Sequence, residues 1–339
     1  MKAVVLYGPK QVAVGELPIP TINANDVMIR VAYCGLCGSD FHKVEGKKNT
    51  HPVTYPVALG HEISGVVEKV GDNVTDFKVG DRVTVDPNWS CGKCKYCKSG
   101  KPSFCENGRG VVKGLAEFVV SPEENVYRLP NTLPLRLATL TEPLACCIHG
   151  IDLLNIRQGE RVALIGFGAI GALMLQLIRK AGAGEILVVE YNEDRRNLAK
   201  ELGANYFFSA KDTVALNEYA KENIVDKVIE CVGKSSAHKT ALEIAGKGAT
   251  VVMFGVADNS EKTEVSFYEA FTKELTIKTS FINPNTTNRA IALLKENAID
   301  VEKTISAQLT MDETPKEFLS PKFSRQGKVL VVVNADLDK

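Results

Sequence analysis

No stretch constrains this chain more than residues 161–180, where an apolar strand pattern runs into evenly placed glycines and then into a helical pattern. Residues 162–165 are continuously apolar, as suits a parallel strand covered on both faces. Gly166, Phe167, Gly168, Ala169, Ile170 and Gly171 follow. In such a turn the first glycine allows the tight bend and the second lets the backbone approach a pyrophosphate. The third lets helix and strand pack closely, and the first helical turn offers unpaired N–H groups to phosphate oxygens. A second strand pattern, 186–189, ends in Glu190, 19 residues past Gly171. A carboxylate there accepts hydrogen bonds from ribose hydroxyls and repels a 2′-phosphate, so NAD is favoured over NADP. The alternative for Glu190 is a solvated carboxylate at a strand end. Arg195 works against the preference, because an arginine nearby can hold a 2′-phosphate.

Further strand patterns at 227–233, 248–255 and 275–280 alternate with helical patterns at 237–245 and 267–273. That alternation predicts an α/β, doubly wound parallel sheet. Ligands of such sheets bind at the carboxyl ends of the strands, which places Cys231 and Val232, and then Phe254, Gly255 and Val256, at the cofactor crevice.

The remainder reads differently. Up to about residue 140, short β-rich runs (2–6, 27–33, 63–70, 82–85, 116–120) alternate with Gly, Pro, Asn and Asp turns, which predicts an irregular antiparallel β domain. Helical periodicity covers 135–154. An amphipathic helix at 287–297 and strands at 305–310 and 328–333 form a tail expected to return to the first domain. A length of 339 residues accommodates two domains.

Nine cysteines is an odd number, and their clustering does not suggest a secreted disulfide framework. Four form Cys91-x2-Cys94-x2-Cys97-x7-Cys105. Thiolates at this spacing can wrap one tetrahedral zinc and leave no position open, so the pattern reads as a structural site. Lys93, Lys95, Lys98 and Lys101 are interleaved and offset its negative charge. The alternative is four free thiols in a loop. A catalytic zinc keeps one position open, and a mixed set exists in Cys37, His61 and Glu62. Taken singly, each is as readily a packing residue. Cys34, Cys146, Cys147 and Cys231 lie in apolar surroundings and read as small core hydrophobes.

Composition excludes other classes. With 45% hydrophobic and 24% charged residues the chain is not disordered. The 41 basic residues balance 41 acidic ones, so the field that draws proteins to nucleic acid is missing. The longest uncharged apolar run, 162–178, contains three glycines and falls short of a membrane span. The first residues lack the apolar stretch of a signal peptide, which leaves the cytoplasm as the expected location.

The motifs together resemble a known family. Cys37-Gly-Ser-Asp-x-His42, Gly60-His-Glu62-x2-Gly65-x5-Gly71-x2-Val74, the four-cysteine cluster and the Gly166 turn occur in the order and spacing of the zinc-dependent medium-chain alcohol and polyol dehydrogenases. Glu62 beside His61, and Thr141-Glu-Pro-Leu144, resemble the sorbitol dehydrogenase branch. The resemblance implies a GroES-like catalytic domain (1–150 and 289–339) carrying both zinc sites, and a Rossmann NAD-binding domain (151–288). It implies hydride transfer between NAD and a secondary alcohol, with a polyol or sugar alcohol as substrate, and a homodimer or homotetramer. Cys37 and His61 would be zinc ligands, with Glu62, Glu142 or a water completing the shell. Ser39 matches the relay hydroxyl, His42 the group that passes the proton outward, and Asp40 the carboxylate that orients the ligand imidazole.

One departure concerns the substrate side. Only 11 residues separate Cys105 from Glu117, fewer than in many relatives. Substrate identity therefore stays open among polyols, 2,3-diols and threonine, and Lys47, Lys48, Arg109 and Lys113 raise a phosphorylated substrate. Competing readings are a zinc-free reductase of the same superfamily, which would not need Cys37, His61 and Glu62 in register, and a zinc-ribbon interaction module without catalysis.

Overall fold

A computed structural model describes residues 1–47, 53–320 and 327–338. The chain divides into two compact units, residues 1–145 with 283–339, and residues 146–282.

The first unit is built on a seven-stranded sheet. Its order is Val126–Arg128, Arg82–Val85, Glu62–Val70, Asp26–Gly35, Lys328–Val332 and Ile305–Thr310, with Phe118–Pro122 also pairing with Asp26–Gly35. The strand Asp26–Gly35 is central and almost wholly buried, in keeping with its apolar, β-branched sequence. Val27, Ile29 and Val31 from it, Ile63 and Val67 from its neighbour, and Val329 and Val331 from the tail share one core. The tail therefore returns to the first unit as a sheet partner, antiparallel to Asp26–Gly35. A three-stranded sheet of Gln11–Glu16, Lys2–Gly8 and Val57–Ala58, and a two-stranded ribbon of Asn88–Trp89 with Arg109–Gly110, complete the β elements described here.

Two local expectations shift. The helical pattern at 135–154 is broken into Leu135–Ala138 and Thr141–Leu154. Ser64 Oγ donates to the Leu135 carbonyl at 2.6 Å, Thr139 Oγ1 donates to it at 3.1 Å, and Thr141 Oγ1 donates to the Ala138 carbonyl at 2.6 Å. Hydroxyls that take helix carbonyls in this way compete with the helical ladder. The strand expected at 116–120 runs from Phe118 to Pro122, while Ala116 bridges Ala3.

The second unit is a six-stranded, wholly parallel sheet in the order Tyr206–Ser209, Glu185–Glu190, Arg161–Ile165, Lys227–Glu230, Thr250–Met253 and Thr276–Thr279. Strand order reverses between Arg161–Ile165 and Lys227–Glu230, where Ile165 pairs with Glu230. A sheet of this kind opens its ligand crevice at that point. Among the described residues no helix is long and apolar enough to cross a membrane.

Candidate active site

The short helix Gly38–Val44 begins directly after Cys37, which occupies its N-cap position. Ser39 and His42 are three residues apart on this helix and so share a face. Asp40, in the first turn, points inward and is fully buried. Its Oδ1 accepts the Gly60 N–H at 3.2 Å and lies 3.3 Å from Lys43 Nζ. Its Oδ2 lies 3.4 Å from His61 Nδ1. Burial by itself would raise the Asp40 carboxyl, but the charge of His61, its ring N–H and Lys43 outweigh that and hold it well below the usual carboxylate range. With Nδ1 turned to Asp40, the second ring nitrogen of His61 is left for another partner.

His61 itself belongs to a cluster. Ligand atoms of Cys37, His61 and Glu62 lie within 4.8 Å of one another. A thiolate, an imidazole and a carboxylate brought this close together are a donor set suited to zinc with an open position. Glu142, in the first turn of Thr141–Leu154, is buried but outside this group of three.

Sequence reasoning missed Lys328. The residue is buried, and its ammonium donates to both oxygens of Glu62, each at 2.7 Å, and to the Leu36 carbonyl at 3.1 Å. Register explains the meeting: Leu330 stands opposite Gly35, and Gly35 opposite Glu62. Gly35 makes it possible, because a Cβ there would sit about 3.1 Å from the Glu62 carboxyl carbon and collide with its oxygen. Burial favours loss of the Lys328 proton, but the charges of Glu62 and Cys37 more than offset it, so the ammonium persists. The only signal in the sequence was a lysine opening an otherwise apolar strand.

The four-cysteine cluster is a separate site. The sulfurs of Cys91, Cys94, Cys97 and Cys105 also lie within 4.8 Å of one another. Asn107 Nδ2 lies 3.5 Å from Cys91 Sγ, and the Cys91 N–H donates to Cys105 Sγ at 3.2 Å. The Asn107 amide, with nearby backbone N–H groups, lowers the Cys91 thiol to about 6. Donors aimed at sulfur favour thiolates, and this set fits a closed structural zinc site. Arg109 stacks on Trp89 with its guanidinium carbon 4.6 Å from the ring centre, Lys113 is exposed, and Lys48 lies outside the described residues.

In the second unit, Gly166 adopts φ +89°, a conformation that glycine takes readily. Gly168 tells more. Among the described residues a Cβ there would meet nothing nearer than Arg195 Nη1 at 3.8 Å, so their packing does not demand a glycine. The bare backbone leaves room for an incoming group, which fits a dinucleotide pyrophosphate at the start of helix Ala169–Lys180. Ala169 and Ile170 are half-buried in its first turn, whereas the Phe167 side chain is buried in the core. Glu190 is buried at the strand end, where Oε2 accepts the Phe167 N–H at 2.6 Å and Oε1 the Asn192 N–H at 2.8 Å. Arg195 Nη1 stands 3.4 Å from Glu190 Oε2. Cys231 and Phe254 directly follow adjacent strands, and Val232 and Val256 are exposed beyond them.

Comparison with known proteins bears on both units. The alcohol dehydrogenase GroES-like domain family matches residues 23–131, and the zinc-binding dehydrogenase family matches residues 169–296. A sorbitol dehydrogenase of Halalkalibacterium halodurans is 34% identical over 98% of this chain and 99% of its own. A zinc-binding dehydrogenase of Sinorhizobium meliloti bound to NADP superposes with a TM-score of 0.92 at 36% identity, covering 98% of this chain and 99% of that one. Galactitol-1-phosphate dehydrogenase from Escherichia coli gives 0.89 at 28% identity, covering 98% and 100%.

Proposed function

The chain belongs to the zinc-dependent medium-chain alcohol and polyol dehydrogenases, and we propose that within this family it oxidises a polyol or sugar alcohol with NAD as hydride acceptor. The observation that carries this reading is the convergence of Cys37, His61 and Glu62 in front of Asp40.

Cys37 and His61 would hold the catalytic zinc, with Glu62, Glu142 or a water completing its shell. Bound there, zinc supplies Lewis-acid polarisation of the substrate hydroxyl. Asp40 stands beside His61 Nδ1 and would leave the other ring nitrogen free to hold the metal. Ser39 Oγ would accept the hydroxyl proton as it hands its own on, and His42, one turn along the same helix, would pass the proton outward. Lys328 engages both oxygens of Glu62 and would compete with a bound metal for that carboxylate. The carboxylates Glu62 and Glu142 suit a substrate with several hydroxyls better than a plain alkanol. Cys91, Cys94, Cys97 and Cys105 would hold a second, structural zinc.

In the second unit the Gly166–Gly171 turn would receive the pyrophosphate and Glu190 the adenosine ribose, which favours NAD. Cys231, Val232, Phe254, Gly255 and Val256 would border the same crevice. Arg195 beside Glu190 opposes strict selectivity, since it could meet a 2′-phosphate. A homodimer or homotetramer is the expected assembly. The edge strand Thr276–Thr279 and the exposed rings of Phe267, Tyr268 and Phe271 in the second unit support self-association.

The deciding experiment monitors NADH formation with polyols, sugar phosphates, 2,3-diols and threonine. Cys37→Ser should abolish oxidation while leaving NADH binding measurable. Near wild-type turnover in that variant would remove Cys37 from the catalytic metal.

A further inference from the structure

Glu230 ends a strand at the point where the parallel sheet reverses its order, and its side chain is fully buried. Its Oε1 accepts the N–H groups of Val232 at 2.5 Å and Gly233 at 2.8 Å. Its backbone carbonyl accepts those of Phe254 at 2.9 Å and Gly255 at 2.8 Å. One residue thus ties down the stems of both loops that the proposed cofactor reading assigns to the crevice.

The other carboxylate oxygen is unspent. Among the described residues Glu230 Oε2 has no hydrogen-bond partner, nor has His238 Nε2, and the two buried atoms lie 3.5 Å apart. His238 lies on the helix Ser235–Ile244, with Nδ1 2.8 Å from Thr263 Oγ1. Thr263 belongs to the segment that follows the second loop, and Glu261 from that segment accepts the Ser235 N–H at 2.8 Å. If the Thr263 hydroxyl donates to Nδ1, the ring carries its proton on Nε2, aimed at the carboxylate. A buried acceptor and a buried donor that both lack other partners are costly apart and complementary together.

We infer that Glu230 and His238 are a positioning pair for the cofactor: His238 Nε2 fixes the rotation of the Glu230 carboxylate, and the carboxylate fixes the backbone at 232 and 233. Neither residue need touch the dinucleotide. The inference rests on the reading of this unit as the NAD-binding one.

The test compares His238→Leu, His238→Asn and His238→Gln in the zinc-loaded enzyme by calorimetric titration with NADH. Glutamine carries an N–H donor at about the reach of the histidine Nε2, asparagine falls short of Glu230, and leucine fills volume without donating. Leucine and asparagine should each weaken NADH binding about tenfold, and glutamine should restore it to within about threefold of wild type. KM for NAD should rise in parallel with little change in kcat at saturating cofactor. Should leucine not fold, asparagine against glutamine carries the same comparison. Wild-type affinity in the asparagine or leucine variant overturns the inference, as does equal loss in all three, which would mark a packing role. A wild-type enzyme that binds neither NADH nor NADPH removes the cofactor reading itself, and the inference with it.

Discussion

The ammonium of Lys328 sits 2.7 Å from each carboxylate oxygen of Glu62, a pair brought together from 266 residues apart beside the sulfur of Cys37 and the ring of His61. Both members are almost wholly withdrawn from solvent. An ion pair so placed gives the carboxylate a resting partner and would leave it within reach of a metal held by Cys37 and His61.

Removing one partner of this pair leaves an uncompensated buried charge, which typically costs about 3–5 kcal/mol. Lys328→Met should therefore lower the unfolding free energy by about that amount in zinc-stripped protein. The loss should shrink when zinc is loaded, because the metal then compensates Glu62. Chemical denaturation of both forms checks this, and an identical loss with and without zinc would show that Glu62 does not reach the ion.

Asp40→Asn keeps the shape of the residue behind His61 but removes its charge. Losing such an orienting carboxylate commonly costs about 10–100-fold in metal affinity. Competition with a chelating dye should show that drop at one zinc per chain and leave the four-cysteine site unaffected.

Acid should empty the mixed site. Burial lowers the His61 pKa, but the charges of Asp40 and Cys37 and their hydrogen bonds override it, so in the metal-free protein the imidazole holds a proton well above the ordinary histidine range. Zinc must displace that proton, so its affinity falls as pH falls. Zinc retained after dialysis at a series of pH values should decline toward acid at this site, and Asp40→Asn should weaken the dependence by lowering the imidazole pKa.

Cys97→Ser should remove one zinc equivalent and loosen residues 91–105 without touching Cys37 or His61. The expected result is faster proteolysis within that loop, with NADH affinity unchanged.

Glu190→Ala should narrow the preference for NAD over NADP. Because Glu190 also accepts the Phe167 N–H, the variant should lose NAD affinity as well, by about tenfold. Cofactor ratios from steady-state kinetics decide, and an unchanged ratio would return Glu190 to a supporting role under the glycine turn.

What the amino-acid order determined by itself was chemistry written within a short span. Cysteines two residues apart, glycines around one turn and the Cys37–His42 run each act through neighbours along the chain, so spacing alone conveys their geometry. The alternation of strand and helix patterns predicts the parallel sheet, although the short strand Tyr206–Ser209, after a glycine-containing turn, lies outside that pattern. The tertiary structure decided which distant groups meet. Lys328 reaches Glu62 because two strands flank Asp26–Gly35 and because Gly35 leaves the side chain room to cross. His238 faces Glu230 because a helix returns over the strand it follows. Such partners are fixed by sheet order and register, which depend on the burial of many side chains at once, and no local run of residues carries that information.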